Sequence, residues 1–437
     1  KNWIDLKFFS LQPSEFVKIA LIVCLALDLS RKRTLRELAP VGVFAALCVG
    51  LIVLQKDLGA VLICFLTCLT VYYVATSNAL LALSGIACAA AGSVVLYRLF
   101  PHVQTRVAIW KNPWASPQDG GYQIIQSLIA IASGSVTGLG LGKGTPTVVP
   151  VVESDFIFAA LCEEFGIAVG LFTLALYVIL FWRGLTLAMR ARSSFHALLA
   201  VGAVTCMSLQ TFMIVGGVIK LIPLTGLTLP LVSKGGSSLL MAFICVALLM
   251  RCGDEGTSLD EEITSATTII SPNNALGRFQ LGKRLTSGMC VFAVMFALLV
   301  GNLTSIMVVQ ADDYKAMPAN NHTILNNAKI QRGSISTSDG VILAQSTANE
   351  DGTYTREYPQ GTTAAHVVGY FSETYGSSGI ESSQNDVLTG KKSFATWNDA
   401  LAAVTGSGTA GNDITLTLNS EIQKAAEQAL SGYTGAC

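Results

Sequence analysis

Eight apolar runs set what this chain can fold into, at about 14–30, 38–55, 58–76, 79–98, 166–182, 197–219, 237–250 and 288–310. Several reach the roughly 20 residues that cross a bilayer, and the shorter ones extend through Gly, Ser or Thr. A pair such as 58–76 and 79–98 would suit buried helices of a soluble protein, but eight do not. With 51% hydrophobic and only 13% charged residues, the chain reads as an all-α polytopic membrane protein. Its orientation follows from Lys and Arg. Arg31, Lys32, Arg33 and Arg36 follow the first run, Arg183, Arg190 and Arg192 the fifth, and Arg278, Lys283 and Arg284 precede the eighth. All three clusters fall on one face, which is then cytoplasmic, so 99–165, 220–236 and everything after 310 lie outside. A net charge of zero gives no basic footprint for nucleic acid. Eight of the 11 cysteines lie in the runs as small packing residues, and neither metal-type spacing nor a disulfide framework is visible.

The stretch VVPVVESDFIFAALCEEFG, residues 148–166, closes the long polar interval between the fourth and fifth runs. Glu153, Asp155, Glu163 and Glu164 crowd against the edge of a span beginning at Phe165. Acids at a membrane are costly and mark functional sites. Glu163 and Glu164 suit the positive end of a helix as well as they suit chemistry. Asp155 sits beside Phe156, Ile157 and Phe158, an apolar setting that makes a carboxylate a better base.

Further charges gather on the same outer face. Glu15 and Lys18 lie three apart on one helix face, as a surface pair or, if turned inward, as the wall of a polar cavity. Lys56 and Asp57 occupy a turn. Arg106, Trp110, Lys111 and Trp114 suit phosphates and acyl chains, and equally a plain anchoring belt. The apolar stretch 123–133 is too short to span and reads as re-entrant or interfacial. GLGLGKGTP is not a phosphate loop, because Gly144 follows Lys143 where Ser or Thr is needed, and it reads as a glycine hinge. Lys234 stands among Ser233, Gly235, Gly236, Ser237 and Ser238, a plausible anion site and also a helix entry.

QPSEFVK, QKDLG, GYQIIQSLIAIASG, GLGLGKG, ESDFIFAALCEEFG and PLTGLTLPLVSKGGSS occur in the order found in the RodA/FtsW family of peptidoglycan polymerases, also called SEDS. The resemblance covers about residues 1–252, with Lys234 standing where that family more usually has Tyr. The family has ten spans, so it implies a SEDS-type helix bundle with about seven of ten present and the first three missing. The absence of a natural start at Lys1 agrees with a missing N-terminal part. It also implies a glycosyltransferase that polymerises lipid II, with Asp155 at the position of the essential aspartate. The expected substrate-binding set is Glu15, Lys18, Asp57, Arg106, Trp110, Gln123, Gln126, Lys143, Ser233, Lys234 and Ser237. Lys18, Arg106, Lys143, Lys234 or a divalent cation such as Mg2+ or Mn2+ would compensate the departing pyrophosphate, with Glu15 and Asp57 holding Lys18 or the metal.

The tail resembles a second family. QRGSISTSDGVILAQS, REYPQGTTAAHVVGY, YGSSGIESSQNDVLTG and NDITLTLNSEIQKAAEQAL resemble the anchor and pedestal of a class B penicillin-binding protein, the usual partner of the first family. DITLTLN reads as strand and SEIQKAAEQAL as a capped helix. No Ser-x-x-Lys and no Lys-Thr-Gly occurs, so no transpeptidase activity is expected. The expected organisation is a polymerase membrane domain at 1–252, a flexible cytoplasmic linker at 253–286, a transmembrane anchor at 287–310 and an extracytoplasmic α+β pedestal at 311–437. Lipid II, the nascent glycan strand, membrane lipids and a penicillin-binding protein, in cis through the tail or in trans, are the expected partners in a bacterial plasma membrane. A lipid-linked precursor flippase or a non-catalytic scaffold for cell-wall enzymes are the alternatives. A flippase needs charges near the midplane or inner face as well, whereas those singled out gather outside.

Overall fold

The computed structural model describes residues 4–5, 10–31, 35–117, 120–191, 193–263, 278–315, 317, 330–349, 353–372, 376–390 and 411–430. A short hairpin, β1 (Ile4–Asp5) on β2 (Ser10–Leu11), leads into the helices. These are α1 (Pro13–Arg31), α2 (Leu35–Leu54), α3 (Leu58–Thr76), α4 (Ala79–Leu99), α5 (Pro101–Lys111) and α6 (Tyr122–Gly134). Next come α7 (Ile157–Arg190), α8 (Ser194–Val218), α9 (Gly236–Ile263), α10 (Arg278–Thr304) and α11 (Ala311–Lys315). Among the described residues six helical segments are long and apolar enough to span a membrane, so the protein is a multi-pass membrane protein. The run expected at 38–55 corresponds to α2, Leu35–Leu54. The first expected run carries Glu15, Lys18 and Asp28, and α1 falls outside the six on composition.

α8 is the centre, buried along almost its whole length and packed by α1, α3, α7 and α9. Small residues let the helices approach. A Cβ on Gly202 would come within 2.6 Å of Ile22, and one on Gly184 within 2.7 Å of Val204. α4, by contrast, has no buried residue and presents Leu80, Leu83, Val94 and Leu99 outward.

α7 carries the fold's main irregularity. The helix starts at Ile157, well before the expected start at Phe165, and breaks at Gly166 (φ 74°). The break frees backbone groups that the segment after α6 takes up. The Ile167 N–H donates to Ser135 O at 3.0 Å, while the carbonyls of Glu163 and Glu164 accept from Leu139 (3.0 Å) and Gly140 (2.9 Å). The stretch expected as re-entrant or interfacial is α6, whose Ile124 to Ala132 are all buried against protein.

Helix covers part of the expected linker, since α9 runs to Ile263 and α10 begins at Arg278; residues 264–277 lie outside the described set. The expected anchor, α10, packs on α7 through Phe292 and Phe181, whose rings are 4.2 Å apart. Arg284 at its start donates to the carbonyl of Val74 at 2.6 Å, a cation at the C-terminal end of α3. Beyond a π-helical turn (Ser305–Val309), Lys315 of α11 donates to Ser135 Oγ at 2.7 Å.

The tail forms a four-stranded sheet in the order β5 (Tyr354–Glu357), β4 (Ile342–Ala348), β3 (Ile335–Ser336), β8 (Ile414–Thr415), with only β3 and β8 parallel. β6 (Phe371–Ser372) and β7 (Gly376–Ser377) make a separate hairpin. Ile335, Leu343, Ala344, Ala364, Val368 and Leu388 are its core. Arg332 and Arg356 both close on the fully buried Glu381, at 2.9 and 2.7 Å. The expected strand DITLTLN is extended only at Ile414–Thr415. SEIQKAAEQAL is the helix Ser420–Leu430, capped by Asn419, which accepts from the N–H groups of Glu421 and Ile422.

Candidate active site

Asp155 sits on the turn that enters α7, its N–H bonded to Val151 O at 3.1 Å. Val151 holds a left-handed φ of 58° and shapes this turn. The two carboxylate oxygens of Asp155 differ. Oδ1 accepts from Ser154 Oγ at 2.8 Å. Oδ2 faces Gly226 of the loop after α8, 3.5 Å from where a Cβ would stand, and Arg106 Nη2 approaches the same point to 3.9 Å. Burial raises the Asp155 carboxyl above the ordinary aspartate range, outweighing the Ser154 hydrogen bond and the Arg106 charge, which pull it down.

The loop between α8 and α9 is fastened to both sides of this carboxylate. On one side α5 reaches it, with Arg106 Nη1 donating to Thr225 O at 3.2 Å and Trp110 Nε1 to Lys220 O at 3.1 Å. On the other side Ser233 accepts from the Leu229 N–H at 2.8 Å and donates to the carbonyl of Ser154. The Lys234 N–H donates to Glu153 O at 2.9 Å, and its ammonium pairs with the Glu153 carboxylate. That pair is exposed, so it contributes little energy and leaves Lys234 within reach of solvent anions. Asp155, Arg106, Ser233 and Lys234 are thus brought together.

Other expected residues have different surroundings. Glu15 and Lys18 form an ion pair at 2.8 Å with both side chains buried, the inward option. Lys18 also donates to Gln210 at 2.8 Å, beside a cavity of about 20 Å³, roughly the room of one water, lined by Cys206, Ser238 and Cys245. Asp57 does not reach this pair. It caps α3 by accepting from the Ala60 N–H at 3.1 Å and from Gln12 at 3.0 Å, because the turn puts its short side chain over its own helix. Gln126 is buried within α6, Gln123 half-buried on its first turn, and Ser237 Oγ is buried in the first turn of α9.

Glu163 and Glu164 end the first segment of α7, just before the break at Gly166, and do not begin it. Both carboxylates instead accept from the glycine loop, Glu163 from the Thr145 N–H at 3.0 Å and Glu164 from that of Gly142 at 3.3 Å. The loop expected as a hinge is therefore tied down, with Lys143 upon it. Among the described residues no group of three or more His, Cys, Asp or Glu stands close enough together to hold a metal.

Ser154, Gln210 and Thr228 escaped the sequence reading. Gln210 carried a readable signal, a lone amide inside an apolar run, where polar groups mark function. Ser154 carried none beyond adjacency to Asp155.

A family model described as a cell cycle protein, FtsW/RodA/SpoVE, matches residues 1–257. One described as a penicillin binding protein A dimerisation domain matches residues 332–414. The chain is 43% identical over 267 residues to the peptidoglycan glycosyltransferase RodA of Mycobacterium tuberculosis H37Rv, covering 57% of each chain. It is 37% identical over 264 residues to the stage V sporulation protein E of Bacillus subtilis, covering 57% of this chain and 70% of that one. A solved peptidoglycan synthase complex, titled for its coordination of polymerization and crosslinking, is 30% identical with a TM-score of 0.46, over 57% of this chain and 72% of that one. The chain thus spans little more than half the length of the first of these relatives.

Proposed function

The chain belongs to the FtsW/RodA/SpoVE family of cell cycle proteins, and from that premise we propose that it polymerises lipid II into glycan strands at the outer face of a bacterial plasma membrane. The observation that carries the reading is Asp155, buried enough to be basic, with one oxygen engaged by Ser154 and the other turned toward a guanidinium. In the proposed reaction Asp155 Oδ2 takes the proton of the 4-hydroxyl of one sugar as that oxygen bonds to the anomeric carbon of another. The bond from that carbon to the pyrophosphate oxygen breaks, and its electron pair leaves with the polyprenyl pyrophosphate. Arg106 is a cation beside Asp155, and Lys234 and Lys143 are further candidates for the leaving charge. The outward leucines of α4 suit the acyl chains.

Glu15 and Lys18 are buried and bonded to each other, so their role in this reading is support of the outer loop. The tail serves as the partner's anchor and pedestal in cis, with α10 packed against α7. Incubating the purified full chain with labelled lipid II and separating the products on a gel tests this. A ladder of glycan strands is expected. Label that crosses a membrane but stays monomeric would transfer the site to a transporter, and no product of either kind would overturn the reading.

A further inference from the structure

The buried ion pair and Asp155 lie in different layers of the molecule, yet one line of hydrogen bonds joins them. Lys18, held by Glu15, donates to Gln210 Oε1 at 2.8 Å. The amide of Gln210 then donates to Thr228 O at 2.9 Å. That carbonyl and the N–H of Leu229 belong to one peptide group, and the N–H donates to Ser233 Oγ at 2.8 Å. The Ser233 hydroxyl donates to the carbonyl of Ser154. That carbonyl shares its peptide group with the N–H of Asp155, which ends the line on Val151 O at 3.1 Å. Every group donates in the same direction, from the cation outward, so the dipoles reinforce one another. Ser238 braces the middle, accepting from Gln210 at 3.4 Å and from Thr228 Oγ1 at 2.6 Å.

We propose that Gln210 is a positioning residue, whose side-chain amide passes the placement of the Glu15–Lys18 pair to the Ser154–Asp155 peptide and so sets where the base stands. Gln210 touches no reacting atom. It is suited to the role because a primary amide both accepts and donates, and a buried one is costly unless both ends are satisfied. Glu15 and Lys18 then act on the reaction through this line rather than by contact with substrate. The inference rests on Asp155 as base.

The test uses the full chain with Gln210→Met, which keeps volume and length but neither hydrogen bond. With labelled lipid II, kcat should fall about tenfold or more while KM stays within about threefold, since misplacement of a reacting group by an ångström costs on the order of a hundredfold. Adding Ser233→Ala to Gln210→Met should cost little more, because both cut one line. Hydrogen exchange should show the amides of Asp155 and Ser233 losing about tenfold or more of their protection, with those of α8 unchanged. A KM effect alone, an additive double variant, or unchanged exchange at 151–155 would overturn the inference. Should the unaltered chain make no polymer, the polymerase reading falls, and exchange at 151–155 alone upholds or overturns the line. Should Gln210→Met not fold, Ser233→Ala cuts the same line from its outer end, and its silence in kcat and in exchange would overturn it.

Discussion

A carboxylate serves as a base when burial raises its affinity for protons and one oxygen stays open to take them. Asp155 meets both conditions, and its two oxygens divide the work between Ser154 and the gap at Gly226. Because its carboxyl titrates above the ordinary aspartate range, the acid limb of the kcat/KM profile should lie above that range as well. Ser154 and Arg106 both hold the value down, so Ser154→Ala should move the limb further up in pH. A limb that stayed in place or moved down would show that another group titrates. The buried setting of Asp155 was legible in the sequence because three apolar neighbours follow it directly. The capping role of Asp57 was not legible, because its chemistry is that of any acid near a cation until the turn sets it over the α3 amides.

At the scale of elements, the break in α7 determines where the Asp155 turn and the glycine loop meet. Gly138 and Gly142 separate two effects there. Both hold left-handed φ, 79° and 73°, so Ala strains each by roughly 1–2 kcal/mol. At Gly138 a Cβ would also lie 2.1 Å from Glu164 O, whereas at Gly142 nothing stands within 4 Å. Gly138→Ala should therefore lower the thermal unfolding temperature of the solubilised chain clearly more than Gly142→Ala. Equal losses would mean that the loop does not seat on the break. In the tail, Asp339 accepts from both Ser420 N and Oγ and its carboxyl falls to about 2. A depressed value gives stability that is present above the unfolded value of 3.8 and lost as pH falls from there toward 2. Acid titration followed by circular dichroism should show Ser420–Leu430 fraying in that window, and Asp339→Asn should weaken the dependence, leaving the part that Glu427 contributes. The helix itself was legible from its sequence. Its tie to Asp339 was not, because the two are 81 residues apart.

For the whole molecule, the apolar runs announced the bundle and most of its spans, because a bilayer permits few other uses for them. The central position of α8 was not legible, since lipid-facing and protein-facing apolar residues look alike in sequence while only packing distinguishes them. The charge asymmetry makes a checkable statement about sidedness. Ser116 and Ser382 are both exposed, so Ser116→Cys and Ser382→Cys should each react with an impermeant thiol reagent from outside intact cells. Reaction only after permeabilisation would invert the topology. The central claim is that this bundle builds strands by proton removal at Asp155. The direct measurement compares strand synthesis from labelled lipid II by the full chain and by Asp155→Asn, at matched expression and lipid II binding. Asn keeps the shape and the Ser154 contact but takes no proton, so product should fall by roughly 10²–10⁴-fold, to nothing visible on the gel. Robust strands from Asp155→Asn would contradict the account and leave the family assignment without its base.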